Sequence, residues 1–256
     1  MTITTLETMT DSDGTTRPRL RRADLRRLRD SLEQGDDPLS DALFPHAEPQ
    51  PQPARPVDGQ PRGTILTVCT GNICRSPMGE ILLHTRLRNL GVKVHSGGTH
   101  ALVDHEMTEQ AQQLAVANGA DANEAAAHRA RLLTEKMLAE SDLVLTMARE
   151  HRSYVVQLSP ALLRRTFTVR EFARLAATLT DDEVRSGLAN AGADAGARLR
   201  ALAQLVGGQR GMVPADPDND DVIDPYRRSQ TTYELSTSQL VPAVAEVERV
   251  VRAAFA

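Results

Sequence analysis

The segment from Thr64 to Pro77 leaves the backbone little choice. Thr64 to Val68 is a short apolar run suited to a buried strand, and Ser76-Pro77 reads as a helix start, with Ser76 as N-cap and Pro77 at the first helical position. Only the loop Cys69-Thr70-Gly71-Asn72-Ile73-Cys74-Arg75 lies between them. Ile81, Leu82, Leu87 and Leu90 then recur at helical spacing, Gly91 closes the helix, and Val92 to His95 makes a second strand running into Ser96-Gly97-Gly98-Thr99. Two strands joined by a helix of this length form a right-handed βαβ unit, so the sheet must be parallel and covered by helices.

The pattern continues along the chain. Helices are expected from about Met107 to Ala117 and from Thr134, as N-cap, to Glu140. Leu143 to Met147 gives a third, buried strand, and a helix over about Arg149 to Leu158 follows it. Arg165 to Val169 gives a fourth strand, edge-like because of its charges and threonines. Two more helices are marked by Phe172, Leu175, Ala176 and Leu179 and by Leu199, Leu202, Leu205 and Val206, with a Gly/Ala/Asp-rich link between them. Val244, Val247, Val251 and Phe255 define a closing helix whose front end Pro242 should kink or interrupt. Ahead of all this, residues 1–61 form a Thr-rich, then basic (Arg17 to Arg29), then Pro-rich tail, expected to be mostly disordered. Leu20, Leu25, Leu28 and Leu32 among its arginines allow a short basic amphipathic helix.

Charge and cysteine usage narrow the function. With 30 Lys+Arg against 34 Asp+Glu the formal charge is -4, which gives no global field for nucleic acid. No run is long enough to span a bilayer and no apolar signal precedes the domain, so a cytoplasmic protein without stable membrane insertion is expected. The two cysteines fall within one six-residue window, the reverse of a secreted disulfide framework. The histidines show no metal-ligand spacing.

The loop itself suits an oxyanion. A helix N-terminus and a neighbouring cation can lower a thiol from about 8.5 into the range of roughly 3.5–7.5, and Cys69 has both. The five residues between Cys69 and Arg75 let the amides of Thr70, Gly71, Asn72, Ile73 and Cys74 curl around one tetrahedral anion, with Gly71 supplying a conformation other residues resist. Arg75 can grip two phosphate oxygens, and Ser76 can donate to the sulfur and improve it as a leaving group. A P-loop of the Gly-x-x-x-x-Gly-Lys-Ser/Thr type is absent.

Val68 to Pro77 resembles the signature loop of the low-molecular-weight protein tyrosine phosphatases. Asp224-Pro225-Tyr226 is similar to the family's Asp-Pro segment, Ser96-Gly97-Gly98-Thr99 to the segment after its second strand, and His128-Arg129-Ala130-Arg131 to its His-containing turn. The likeness covers roughly 62–256. It implies a three-layer α/β sandwich around a four-stranded parallel sheet in flavodoxin-like order, with a helical insertion at about 171–212. It implies a phosphomonoester hydrolase, without cofactor or metal, in which Cys69 is the nucleophile and Asp224 the general acid and base. Asn72, Ser96 and His128 would hold the loop in shape, and Tyr226 would wall the substrate pocket. Asp224 is preferred over Asp220 and Asp221 for the Pro and aromatic that follow it, and nearby carboxylates should favour its protonated form. The implied substrate is a phosphotyrosine protein, with a bacterial tyrosine kinase of surface-polysaccharide export as the partner by analogy.

Two departures weaken phosphotyrosine specificity. Arg227 stands beside Tyr226, and His100-Ala101-Leu102 brings no aromatic to the second wall, in a chain with 3% aromatic residues. An arsenate reductase drawing on an external thiol is the nearest rival, since no cysteine follows Cys74 to build a relay. A phosphoanion-binding module without turnover is the other. Cys74 is near enough in sequence for a protective disulfide with Cys69, which would make the enzyme redox-sensitive. The insertion could be a lid, a docking surface or a passive addition.

Overall fold

The computed structural model describes residues 8–10, 16–18 and 63–256. Contacts divide the chain into Met1–Asp58 and Gly59–Ala256. In the first unit β1 (Thr8–Thr10) pairs antiparallel with β2 (Thr16–Pro18), Met9 opposite Arg17, a ribbon that the sequence pattern does not announce. The expected basic helix and the Pro-rich stretch lie outside the described residues.

In the second unit four strands, β3 (Gly63–Cys69), β4 (Val92–Gly98), β5 (Leu143–Thr146) and β6 (Thr166–Thr168), form one parallel sheet in the order β4-β3-β5-β6. This is the expected flavodoxin-like arrangement. All seven residues of β3 are buried, as befits a central parallel strand covered on both faces. Its side chains alternate: Ile65 joins Leu143 and Leu145 in one apolar cluster, whereas Leu66 and Val68 join Val144 in the other. Because β4 lies on one side of β3 and β5 on the other, the chain reverses its winding at the carboxyl end of β3, where α/β sheets open a crevice. Cys69 is the last residue of that strand.

Helices α1 (Arg75–Leu87), α2 (Glu109–Ala117), α3 (Ala122–Ala127), α4 (Glu135–Ala139) and α5 (Arg149–Leu158) complete the first part. The start of α1 differs from expectation: Arg75 is its first residue and Cys74 its N-cap, so Ser76 lies inside the first turn and Pro77 one place further. Pro77 is tolerated there because the first helical N–H groups have no intrahelical acceptor in any case. Ser76 is freed from capping, and its hydroxyl turns to the sulfur of Cys69. Thr134 caps α4 as anticipated, its hydroxyl accepting from the Met137 N–H. Gly91, at φ 65°, ends the turn after α1 in the left-handed region.

β6 is an edge strand, but its threonines do not face solvent. Thr166 and Thr168 are buried, and their hydroxyls donate to the carbonyls of Leu162 and Asp220. After β6, α6 (Val169–Ala176) and α8 (Ala195–Gly208) appear where the apolar spacing put helices, and α7 (Asp181–Gly187) occupies what reads in sequence as a link. Thr180 and Glu183 form the capping box that starts α7. These helices sit in the main apolar cluster: Phe172, Leu175, Leu199, Leu202 and Val206 are buried with Ile65. A methyl added at Gly63 would meet the Ala195 carbonyl at 2.7 Å, so α8 runs directly over the start of β3.

α9 (Gln230–Phe255) runs unbroken through Pro242. Pro242 is on the exposed face, where the carbonyl left without a partner, that of Ser238, can be hydrated. No described helix is long and apolar enough to cross a membrane.

Candidate active site

The loop between β3 and α1 is shaped from outside through its carbonyls. Those of Cys69, Thr70, Gly71 and Ile73 accept from the backbone N–H groups of Thr99, His100, Leu102 and Thr108, at 2.9 to 3.0 Å. The Asn72 carbonyl accepts from His128 Nε2 at 2.9 Å. Five consecutive carbonyls therefore point away from the loop centre, and the N–H groups must point the other way. Asn72 N–H reaches Cys69 Sγ at 3.3 Å, and the N–H groups of Thr70, Gly71, Ile73 and Cys74 have no acceptor among the described residues. The result is a cup of unpaired donors at a helix N-terminus, with a sulfur at its base.

Asn72 is the pivot. It takes the left-handed conformation, φ 56°, that had been expected of Gly71, and Asn is among the few residues with a side chain that tolerate it. Its fully buried amide donates to Ser76 Oγ at 2.9 Å and to Ser96 Oγ at 2.7 Å, and accepts from the Arg131 N–H at 2.8 Å. Ser76 Oγ lies 2.9 Å from Cys69 Sγ. Already accepting from Asn72, that hydroxyl is set to donate to sulfur.

Beneath this stands Glu80, one helical turn beyond Ser76, which sequence reasoning missed. It accepts from the Ser96 hydroxyl, holds Arg131 Nη2 at 2.8 Å from both of its oxygens, and lies 3.6 Å from His128 Nδ1. Its signal was available: a lone carboxylate within the apolar run Met78 to Leu83, four residues after Ser76 on the same helical face. A carbonyl can only accept, so His128 Nε2 carries the proton, and burial holds this histidine below its usual range. Ser96, His128 and Asn72 thus meet in one network. His151 was also missed: it is buried, its Nε2 is 2.9 Å from Thr70 Oγ1, and burial with the nearby Arg75 cation lowers it to about 4.

Arg75 is 4% exposed. One terminal nitrogen donates to the Val222 carbonyl at 3.1 Å, the other is 2.7 Å from Asp224 Oδ2, and Nε has no partner. The segment carrying Asp224 is fixed to the carboxyl end of β5, because Val222 N–H donates to Met147 O at 2.8 Å. The two carboxylates of the acidic run that lie nearest to it are paired, Asp220 with Arg174 and Asp221 with Arg149. The cation that Asp224 meets is Arg75. Tyr226 stands half-exposed beyond it, with the Arg227 guanidinium 5.1 Å from its ring centre. At the Thr70 end, His100 and Tyr154 face each other with ring centres 6.0 Å apart, supplying aromatic surface from α5 where the residues after β4 had none.

The two cysteines are both free and face different neighbours. Cys74 Sγ lies 3.4 Å from Thr108 Oγ1 and 3.7 Å from the Tyr233 hydroxyl, and burial pushes its thiol up to about 11. Among the described residues no cluster of three His, Cys, Asp or Glu is arranged to hold a metal.

This geometry has relatives. The family model for low molecular weight phosphotyrosine protein phosphatase matches residues 64–185. The probable low molecular weight protein-tyrosine-phosphatase AmsI of Erwinia amylovora is 38% identical over 103 residues, 40% of this chain and 68% of that protein. This chain belongs to that family. Escherichia coli (strain K12) Etp, named a low molecular weight protein-tyrosine-phosphatase, is 44% identical over 103 residues, or 40% of this chain and 66% of its own length. The chain thus spans slightly under two thirds of Etp, and 64% of a putative phosphatase of this family from Klebsiella pneumoniae. The crystal structure of a low molecular weight protein tyrosine phosphatase from T. tengcongensis superposes with a TM-score of 0.50 at 25% identity, covering 72% of this chain and 97% of the other. The family match stops before Asp224, which enters the site through the fold.

Proposed function

We propose that this protein is a protein-tyrosine phosphatase working through a cysteinyl-phosphate intermediate. The observation that carries the reading is the inverted loop, with five carbonyls tied outward and free N–H groups inward around Cys69 Sγ. Donors fixed in this way are complementary to the three equatorial oxygens of a phosphoryl group in flight and need no reorganisation when charge spreads over them.

A phosphomonoester dianion entering the cup takes over the Arg75 fork, including the nitrogen now on Asp224 and the unpartnered Nε. The thiolate of Cys69, held by the Asn72 N–H and the Ser76 hydroxyl, attacks phosphorus in line, forming the S–P bond as the P–O bond to the leaving group breaks. Asp224, released from Arg75 by the phosphate dianion, takes up a proton from solvent and passes it to the departing oxygen. It then accepts a proton from water as that water attacks the thiophosphate, the S–P bond breaks, and the hydroxyl of Ser76 stabilises the returning sulfur anion. Phosphotyrosine is the favoured substrate because Tyr226 offers an aromatic surface beside Asp224 and the pair His100 and Tyr154 offers another at the opposite end of the loop. The natural substrate is taken to be a phosphotyrosine protein, with a bacterial tyrosine kinase as the candidate partner, in the cytoplasm. A relative from Geobacillus stearothermophilus, 35% identical, is named a protein-arginine-phosphatase, so phosphoarginine is the comparison that matters.

The test is release of phosphate from phosphotyrosine, phosphoserine and phosphoarginine peptides, with arsenate reduction measured alongside. Phosphotyrosine should be turned over fastest, Cys69→Ser should abolish release, and Asp224→Asn should slow it by about 10²–10⁴-fold. Full activity in Asp224→Asn would mean that another group is the acid. Binding of phosphopeptide without release would leave a phosphoanion-binding module, and reduction of arsenate with an external thiol in preference to phosphatase activity would favour the reductase.

A further inference from the structure

Three described residues other than glycine have positive φ: Asn72, Asp104 and Arg227. Asn and Asp enter the left-handed region readily, but Arg does not, and at φ 58° Arg227 is the strained one. Backbone strain of this kind persists where the side chain is needed. It falls three residues after Asp224, in the turn closed by the bond from Arg228 N–H to the Pro225 carbonyl at 2.9 Å.

The side chain so placed is exposed and meets no carboxylate among the described residues. Arg227 lies over the Tyr226 ring, an interaction that orients it beside the aromatic edge of the site. Arg228 is likewise exposed, and no ion pair engages it among the described residues. The acidic residues from Asp220 to Asp224 are each taken by another cation: Asp220 by Arg174, Asp221 by Arg149 and Asp224 by Arg75. In a chain of formal charge -4, two adjacent uncommitted cations at the mouth of an anion site are a local feature and not a general basic surface.

We infer that Arg227 and Arg228 form a docking point for acidic residues flanking the phosphorylated side chain, so that the protein selects phosphopeptides with Asp or Glu beside the phosphotyrosine. The inference rests on the phosphatase reading for its substrate class. The pair acts on the peptide and not on the reacting phosphoryl group, so it sets KM and association, not the chemical step. Removing either guanidinium should lower kcat/KM for an acidic peptide by roughly two- to fivefold, in line with surface ion pairs, and the effect should shrink as salt screens it.

The experiment compares two phosphotyrosyl peptides, one with Glu and one with Gln at the flanking positions, using the parent protein and Arg227→Gln/Arg228→Gln, at low and at high salt. The parent should prefer the Glu peptide several-fold at low salt only, the double variant should lose the preference, and both should hydrolyse p-nitrophenyl phosphate equally. Equal use of the two peptides by the parent, or a preference that survives in the double variant, overturns the inference. Arg227→Gly separates a structural role: glycine is at ease at this φ, so it should melt no lower than the parent while losing selectivity, and a clear drop in melting temperature counts against the inference. The same peptides are titrated by fluorescence anisotropy into Cys69→Ser. There a preference for Glu dependent on Arg227 and Arg228 supports the docking point even if turnover, and with it the phosphatase reading, fails, and equal affinities refute it.

Discussion

Replacing Asn72 by Ala should dismantle the loop in two separable ways. The side chain, fully buried, makes three hydrogen bonds, to Ser76, Ser96 and the Arg131 N–H. At about 1 kcal/mol net for each, their loss costs about 3 kcal/mol. Ala at φ 56° adds about 1 kcal/mol, because its Cβ meets the crowding that Asn tolerates. A total of about 4 kcal/mol in a unit of this size should lower the melting temperature by roughly 8–16 °C. Asn72→Gly should recover part of the difference, since glycine loses the hydrogen bonds but not the backbone conformation. Differential scanning calorimetry on parent and both variants, with aryl phosphate turnover on the same samples, measures each part. Were Asn72→Ala to melt within about 2 °C of the parent with unchanged turnover, the pivot assigned to this residue would be wrong. Were Asn72→Gly less stable than Asn72→Ala, the left-handed part of the argument would fail.

Three further outcomes follow from the same structure. His95 and His151 are both held near 4 by burial, so unfolded imidazoles bind protons between pH 6.5 and 4 that the native ones refuse; stability is complete above 6.5 and should fall with pH by up to about 2–3 kcal/mol per unit, which urea unfolding at pH 7, 6 and 5 would read, and a flat profile would contradict. Iodoacetamide at pH 7.5 should label Cys69 and leave Cys74 untouched in the native protein, since the Cys74 thiol titrates only at about 11; equal labelling in mass-mapped peptides would show otherwise. A Cβ at Gly98 would stand 2.5 Å from the Thr70 carbonyl and 3.0 Å from Ala101 Cα, both backbone, so Gly98→Ala should destabilise by roughly 1–3 kcal/mol in chemical denaturation and lower phosphatase activity by displacing the loop; a silent substitution would mean that the loop yields freely.

The redox idea raised by the cysteine spacing meets a particular obstacle. Cys74 Sγ is engaged by Thr108 and Tyr233 and carries a raised pKa, whereas Cys69 Sγ is engaged by Ser76 and the Asn72 N–H. A disulfide between them would require Cys74 to leave that pair of hydroxyls. Proximity in sequence does not disclose this, because a side chain's direction within a loop depends on neighbours brought from the start of α2 and from α9.

The strands, their order along the chain and the loop that ends the first strand of the sheet could be read directly, since a buried parallel strand announces itself by continuous apolar residues and a helix start by its local chemistry. The capping box Thr180 to Glu183 is equally legible, though the small residues around it suggest a link. What no local pattern carries is which carboxylate meets which cation. Glu80 under Ser96 and His128, His151 against Thr70, and Asp224 on Arg75 are pairings over 16 to 149 positions of sequence, made only when β4, α5 and the segment before α9 are brought to the end of β3 and the start of α1. Local sequence chose the elements because backbone preference and side-chain periodicity act over a few residues. The site's electrostatics belonged to the tertiary structure because Coulomb and hydrogen-bond energies depend on distance in space and on burial, and neither is fixed until the chain is folded.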